Sequence, residues 1–245
     1  MNKTRKILLL VEGAKLEVNL LNKAFQVYNM NMNYVIYSYN TNIYELYERM
    51  FEGNETDLDT LDLLGILKER DSKNEILNEV FSDILLIFDY EPQDNRFKEE
   101  RISLMVNYFN ESTDNGKLYL NYPMVESFKH LKCDPDDGYK QRIVDYSIVI
   151  SKKYKELVGK ETNFPDLRKY SKDHFNTIII HNIKKANYII GSNYEVEDIK
   201  SCYFDLKPEL ILQVQNLYLV NVQKIHVLNT CLFFICDYKF DLILK

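Results

Sequence analysis

Tryptophan is absent from this chain, and glycine and proline are scarce, seven and five in 245 residues. So few turn formers leave little room for a flexible linker or an architecture of many short strands, and helices should dominate. The four cysteines, Cys133, Cys202, Cys231 and Cys236, show neither C-x-x-C spacing nor a regular framework. That excludes a zinc ribbon and a disulfide scaffold and suits reduced thiols. No apolar stretch reaches the roughly 20 residues of a membrane span. The best candidate, "CLFFI" at 231–235, is broken by Asp237 and Lys239. The opening "MNKTRK" runs into a short apolar segment interrupted by Glu12, which is no signal peptide. The expectation is a cytoplasmic protein with no membrane contact.

An excess of positive charge is missing as well. The net charge is -6, with 46% hydrophobic and 28% charged residues, a balance that supports a full core and excludes a disordered chain. Residues 1–150 hold 26 Asp and Glu against 17 Lys and Arg, whereas residues 151–245 hold 11 against 14. A strongly basic domain, the usual footprint of nucleic-acid binding, is therefore not offered. Any polyanion must be held by local patches or by metal ions. A glycine-rich phosphate loop is also lacking, so if ATP drives the system, a partner supplies the ATPase.

What is present is a regular alternation. "KILLLV" (6–11), "YVIYSY" (34–39), "DILLIF" (83–88) and "KLYL" (117–120) read as strands. Between them lie helical patterns at 14–28, in "NIYELYERM" capped by Thr41, at about 61–69, and in "RFKEERISLMVNYFN". Pro123 then suits the first turn of a helix in "PMVESFKHL". Strand and helix alternating in this way predict a parallel sheet with helices on its faces. Residues 139–245 read as helical throughout, with helices opened by Pro165 and Pro208 and a last segment capped by Thr230. The expected division is a sheet domain at 1–135 and a helical region at 136–245.

Open α/β sheets bind ligands beyond the carboxyl ends of their strands. Glu12 follows the first strand, Gly13 permits a sharp turn behind it, and Asp89 follows the third strand, with Glu91 and Asp94 close by in "FDYEPQD". Carboxylates aimed at one edge repel unless protons or cations intervene, and hard oxygen ligands of this kind suit Mg²⁺ or Mn²⁺. Each acid alone is also what a strand leaving the core would show, and Glu17 in a first helical turn can be compensation of the helix dipole. The order strand, Glu, Gly, helix, followed by strand, Asp-x-Glu, is what favours a site.

These residues resemble the TOPRIM fold of primases, topoisomerases and OLD-type nucleases. There a Glu after the first strand and a D-x-D after the third hold catalytic metal. "LLLVEG" supplies Glu12, and "LIFDYE" supplies an altered pair, Asp89 and Glu91. Within that superfamily the chain is most similar to the RloB and abortive-infection group of phage-defence proteins, through "EGAKLE" (12–17) and "NYPMVESF" (121–128). The likeness covers about residues 6–132. It implies a metal-dependent nuclease cutting DNA or RNA in antiphage defence beside a partner ATPase. Glu12, Asp89 and Glu91 would be its metal ligands and catalytic residues, with Glu17 and Glu126 supporting them. His130, which follows the "VESF" segment, is a candidate proton donor read apart from the resemblance, a packed or surface histidine being the commoner account. Glu91 in place of the second Asp is a departure that bears on metal geometry.

In the second half Lys152, Lys153 and Lys155, with Lys160, Arg168, Lys169 and Lys172 beyond them, are interleaved with Tyr154 and Tyr170. A basic, tyrosine-bearing surface can hold a phosphate backbone and stack unpaired bases. A solvated helical face diluted by Glu156, Glu161, Asp166 and Asp173 is the plainer account. Two rival functions remain. One is a catalytically silent regulatory module that binds a partner ATPase. The other is a phosphoacceptor receiver domain, which would want paired acids after the first strand, and "VEGA" lacks them.

Overall fold

Chain order is β1 (Lys6–Val11), α1 (Leu16–Tyr28), β2 (Asn33–Ser38), α2 (Ile43–Phe51), α3 (Leu63–Arg70), β3 (Asp83–Asp89), α4 (Glu99–Tyr108), β4 (Asn110–Glu111) and β5 (Gly116–Asn121). The computed structural model describes residues 6–30, 33–52, 58–133, 135–191 and 193–244. The stretch 1–5, most of the segment that carries the signal-peptide reading, lies outside the described residues. The strands form one five-stranded sheet in the order β2-β1-β3-β5-β4. β2, β1, β3 and β5 run parallel, and β4 is antiparallel to β5. Helices flank the sheet, as the alternating pattern predicts. β1 and β3 are near-continuous apolar runs because they are central, with Leu8–Val11 and Leu86–Phe88 all at 1% exposure or less.

Several local expectations are corrected. Asn42, not Thr41, caps α2, its side chain accepting from the Glu45 N–H at 3.3 Å. The segment after Pro123 is a short 3₁₀ turn, Val125–Lys129, and not an α-helix; it follows a cis Tyr122–Pro123 peptide. Its groups find tertiary partners: Asn229 Nδ2 donates to the Val125 carbonyl at 3.2 Å and to Ser127 Oγ at 3.1 Å. Such partners compete with the regular i to i−4 ladder.

The second half comprises β6 (Ile143–Asp145), α5 (Tyr146–Ile150), α6 (Tyr154–Glu161), α7 (Lys172–Gly191), α8 (Ile199–Phe204), α9 (Pro208–Val222), β7 (Lys224–His226) and α10 (Phe234–Lys239). It is thus not helical throughout, since β6 and β7 pair antiparallel. Strands of three residues leave no periodicity to read. β7 is held by buried Gln215 on α9, whose Nε2 donates to the His226 carbonyl at 2.9 Å and whose Oε1 accepts from the His226 N–H at 3.0 Å. Pro208 does open α9. Thr230 does not cap a helix; its hydroxyl donates to the Leu120 carbonyl at 3.0 Å.

Residues before and after position 135 are joined through the segment 227–231. Tyr122 and Leu228 exchange backbone hydrogen bonds of 2.8 and 2.9 Å. Asn229 Nδ2 also donates to Asn121 Oδ1 at 3.1 Å, while its N–H donates to Asn182 Oδ1 on α7. Three asparagines, all within 1% of full burial, therefore link the end of β5 to the helices. Among the described residues, no helix is long and apolar enough to cross a membrane.

Candidate functional site

Parallel pairing sets Val11 beside Ile87 and Asp89 beside Asn121, so β1, β3 and β5 end at one edge. Glu12 continues the ladder for one residue, its N–H donating to the Ile87 carbonyl at 3.1 Å. Its side chain then reaches β3, where the Asp89 N–H donates to Glu12 Oε2 at 3.1 Å. Asn121 Nδ2 donates to Asp89 Oδ1 at 3.3 Å. Asn121 itself is fixed from behind, because its Oδ1 accepts from Asn229 Nδ2, Thr230 N–H and Cys231 N–H. Asn121 was not among the residues expected here. The signal existed, since it is the polar residue at the carboxyl end of its strand, as Glu12 and Asp89 are of theirs.

Glu17 and Glu126 are each buried to 8% exposure. Glu17 Oε1 accepts from the Gly13 N–H at 3.0 Å, and a Cβ on Gly13 would stand 2.8 Å from Glu17 Oε2. That approach, more than any special dihedral, is what glycine permits at position 13. Glu126 Oε1 pairs with Lys155 Nζ at 2.9 Å, while its Oε2 is buried without a hydrogen-bond partner. Glu91 lies in the left-handed region, with φ of 36°. That conformation costs a non-glycine residue on the order of 1–2 kcal/mol. Its Oε2 accepts from Asn42 Nδ2 at 3.4 Å. Asp94 belongs to a different group. It pairs with Arg96 at 2.9 Å and with Asn42 at 2.6 Å, and the Arg96 hydrogen bond chiefly pulls its pKa down to about 2.

The acids at the edge feel one another. Burial, then the field of Glu91, raises the Glu12 pKa to about 8, with Glu17 adding to the rise and the Asp89 N–H and Lys155 opposing it. Asp89 is pushed well above the usual carboxylate range by burial and then by Glu12, Glu126, Glu17 and Glu91. Burial, opposed by Asn42 and reinforced by Asp94, raises Glu91. Lys155 answers from the other side. Burial works against its charge, but the hydrogen bond to Glu126 and the fields of Glu126, Asp89 and Glu17 prevail and raise its pKa.

Carboxylates that resist joint ionisation, and a buried oxygen with nothing to bind, fit a hard divalent cation in donor chemistry. Among the described residues, however, no three His, Cys, Asp or Glu side chains are gathered as a ligand set. Lys155, paired with Glu126 at 2.9 Å, brings positive charge to this edge.

The other expected site residues stand elsewhere. His130 is 1% exposed, with Nδ1 at 3.1 Å from the Tyr154 hydroxyl and Nε2 at 3.0 Å from Glu161. Burial lowers its pKa. Both ring nitrogens are thus engaged by Tyr154 and Glu161. Lys152 and Lys153 are exposed at the turn before α6. Lys155, in the first turn of α6, is exposed like them and also pairs with Glu126. The stacking role expected of Tyr154 and Tyr170 is corrected, since they are 0% and 4% exposed and face inward. The Tyr170 hydroxyl donates to the Phe164 carbonyl at 2.7 Å.

Comparison with protein-family models, with curated proteins and with solved structures gives no match.

Proposed function

We propose that the edge formed by Glu12, Asp89, Glu91 and Glu126 holds Mg²⁺ or Mn²⁺ and that the chain is a metal-dependent phosphodiester hydrolase, a nuclease of TOPRIM type acting on DNA or RNA. The observation that carries this reading is the convergence of Glu12 and Asp89, from adjacent parallel strands, on one hydrogen bond beside further buried acids. When bound there, the cation would activate water and neutralise charge on a phosphate. The chain's own part is to aim the ligands. Asn121 orients Asp89, the Asp89 N–H orients Glu12, and the Gly13 N–H holds Glu17. Lys155, paired with Glu126 at 2.9 Å, would offer positive charge to a phosphate held at this edge. Antiphage defence beside a partner ATPase rests on the sequence resemblance alone. Incubation with labelled DNA and total RNA, with Mn²⁺ and with chelator, tests the activity. Cleavage that requires the metal and is lost in Asp89→Asn supports it.

A second reading is favoured by the Lys155–Glu126 pair and the lack of a gathered ligand set. In it the edge is neutralised internally, and the chain is a regulatory module that docks on an ATPase. Absence of any cation response together with recovery of an ATPase from native complexes would support it.

A further inference from the structure

The outer edge of β5 is interrupted, and a cavity lies at the interruption. Register with β3 turns the backbone groups of Lys117, Tyr119 and Asn121 inward, as the bond from Tyr90 N–H to the Asn121 carbonyl confirms. Leu118, Leu120 and Tyr122 therefore present theirs outward. β4 covers only the start of this edge, pairing at Gly116 and Lys117 and ending with the bond from Leu118 N–H to the Phe109 carbonyl. Beyond it, Thr230 Oγ1 takes the Leu120 carbonyl and Leu228 takes Tyr122. Between these, the Leu118 carbonyl and the Leu120 N–H have no strand partner among the described residues. They are an acceptor and a donor two residues apart on one side of a strand.

The cavity that both residues line measures about 340 Å³, and its walls include Phe109, Tyr203 and Phe204. That volume is at the lower end of small-molecule sites, about 300–1,000 Å³. Added β-strands require a longer run of free edge than one acceptor and one donor, because each extra residue pair takes part in the ladder. A flat ring with adjacent donor and acceptor atoms needs one such pair, and aromatic walls accept its faces. The one lysine of the lining, Lys117, already pairs with Asp237 at 2.7 Å. No lysine is thus left over for a phosphate chain.

We propose that this cavity binds a purine nucleobase or nucleoside, read by the Leu118 carbonyl and the Leu120 N–H on the open edge of β5. The site is separate from the carboxylate edge and does not depend on its function.

Calorimetric titration of the full chain tests this with adenosine, purine riboside, N6,N6-dimethyladenosine and ATP. The last two nucleosides remove the amino donor whichever ring nitrogen accepts from Leu120. Saturable binding of adenosine is expected, weakened about fivefold or more in both, the loss that corresponds to one net hydrogen bond of about 1 kcal/mol. ATP should bind no more tightly than adenosine. Phe204, at 57% exposure, can be changed with little risk to folding, and Phe204→Ala should weaken adenosine binding. No saturable binding of adenosine, binding of purine riboside and N6,N6-dimethyladenosine as tight as that of adenosine, or ATP binding tenfold tighter than adenosine would each overturn the proposal.

Discussion

The N–H of Asp89 donates to Glu12 Oε2 at 3.1 Å, so the acid that follows β1 closes over the last residue of β3. One backbone bond thereby holds two carboxyl groups from adjacent strands at a single edge. Burial opposes the ionisation of both, reinforced by the fields of Glu91 and Glu17 at Glu12 and, first among the neighbouring acids, by that of Glu12 at Asp89.

Stability should depend on pH through this pair. Glu12 is raised from 4.5 to about 8 in the folded chain. The native state thus keeps a proton that the unfolded state releases between those values, and Asp89 acts in the same direction. This contribution is present in full below the unfolded value and is lost as pH rises through the folded one. In chelator, the urea midpoint should fall between pH 6 and pH 9, and Glu12→Gln should reduce that fall. An equal decline in parent and variant would contradict the assignment.

Lys155 should behave unlike its neighbours. Replacing Lys152 and Lys153 by Glu should weaken nucleic-acid binding and flatten its salt dependence, because fewer counterions are released. Lys155→Ala should change the salt slope less than Lys152→Ala or Lys153→Ala does, since Glu126 already balances its charge at 2.9 Å. Fluorescence anisotropy across a salt series measures both.

Asn229 is expected to carry stability out of proportion to its size. Its amide serves Asn121, Val125 and Ser127, and its N–H serves Asn182. Truncation strands several buried groups, each worth about 1–3 kcal/mol when unsatisfied. Asn229→Ala should therefore lose at least about 2 kcal/mol in urea unfolding. A smaller loss would show that the network relaxes or takes in water.

Gly13→Ala should separate site from fold. The three atoms nearest the added carbon all belong to the carboxyl end of the Glu17 side chain. The urea midpoint should stay near that of the parent while any response to divalent cation weakens.

Much of this was legible in the sequence. β1 and β3 announce themselves because central strands, covered on both faces, need unbroken apolar runs. The meeting of Glu12 and Asp89 at one edge follows from their places at the carboxyl ends of neighbouring parallel strands. β4, β6 and β7, of two or three residues, are too short to show a periodicity, and β6 and β7 pair across a long separation in sequence. The turn after Pro123 was misread as α-helix because Asn229, about a hundred residues away in sequence, decides where its groups bond. Lys155 looked like one more surface lysine, since nothing local shows that the first turn of α6 faces Glu126.

Thermal unfolding with and without Mn²⁺, in the parent and in Glu12→Gln, tests the central claim that this edge is a cation site. A cation held there should stabilise the native state by about 2.7 kcal/mol at a hundredfold excess over its dissociation constant. The parent should shift upward, and Glu12→Gln should fold at least as well without metal yet lose much of the shift. An unchanged response in Glu12→Gln, or none in the parent, would contradict the claim.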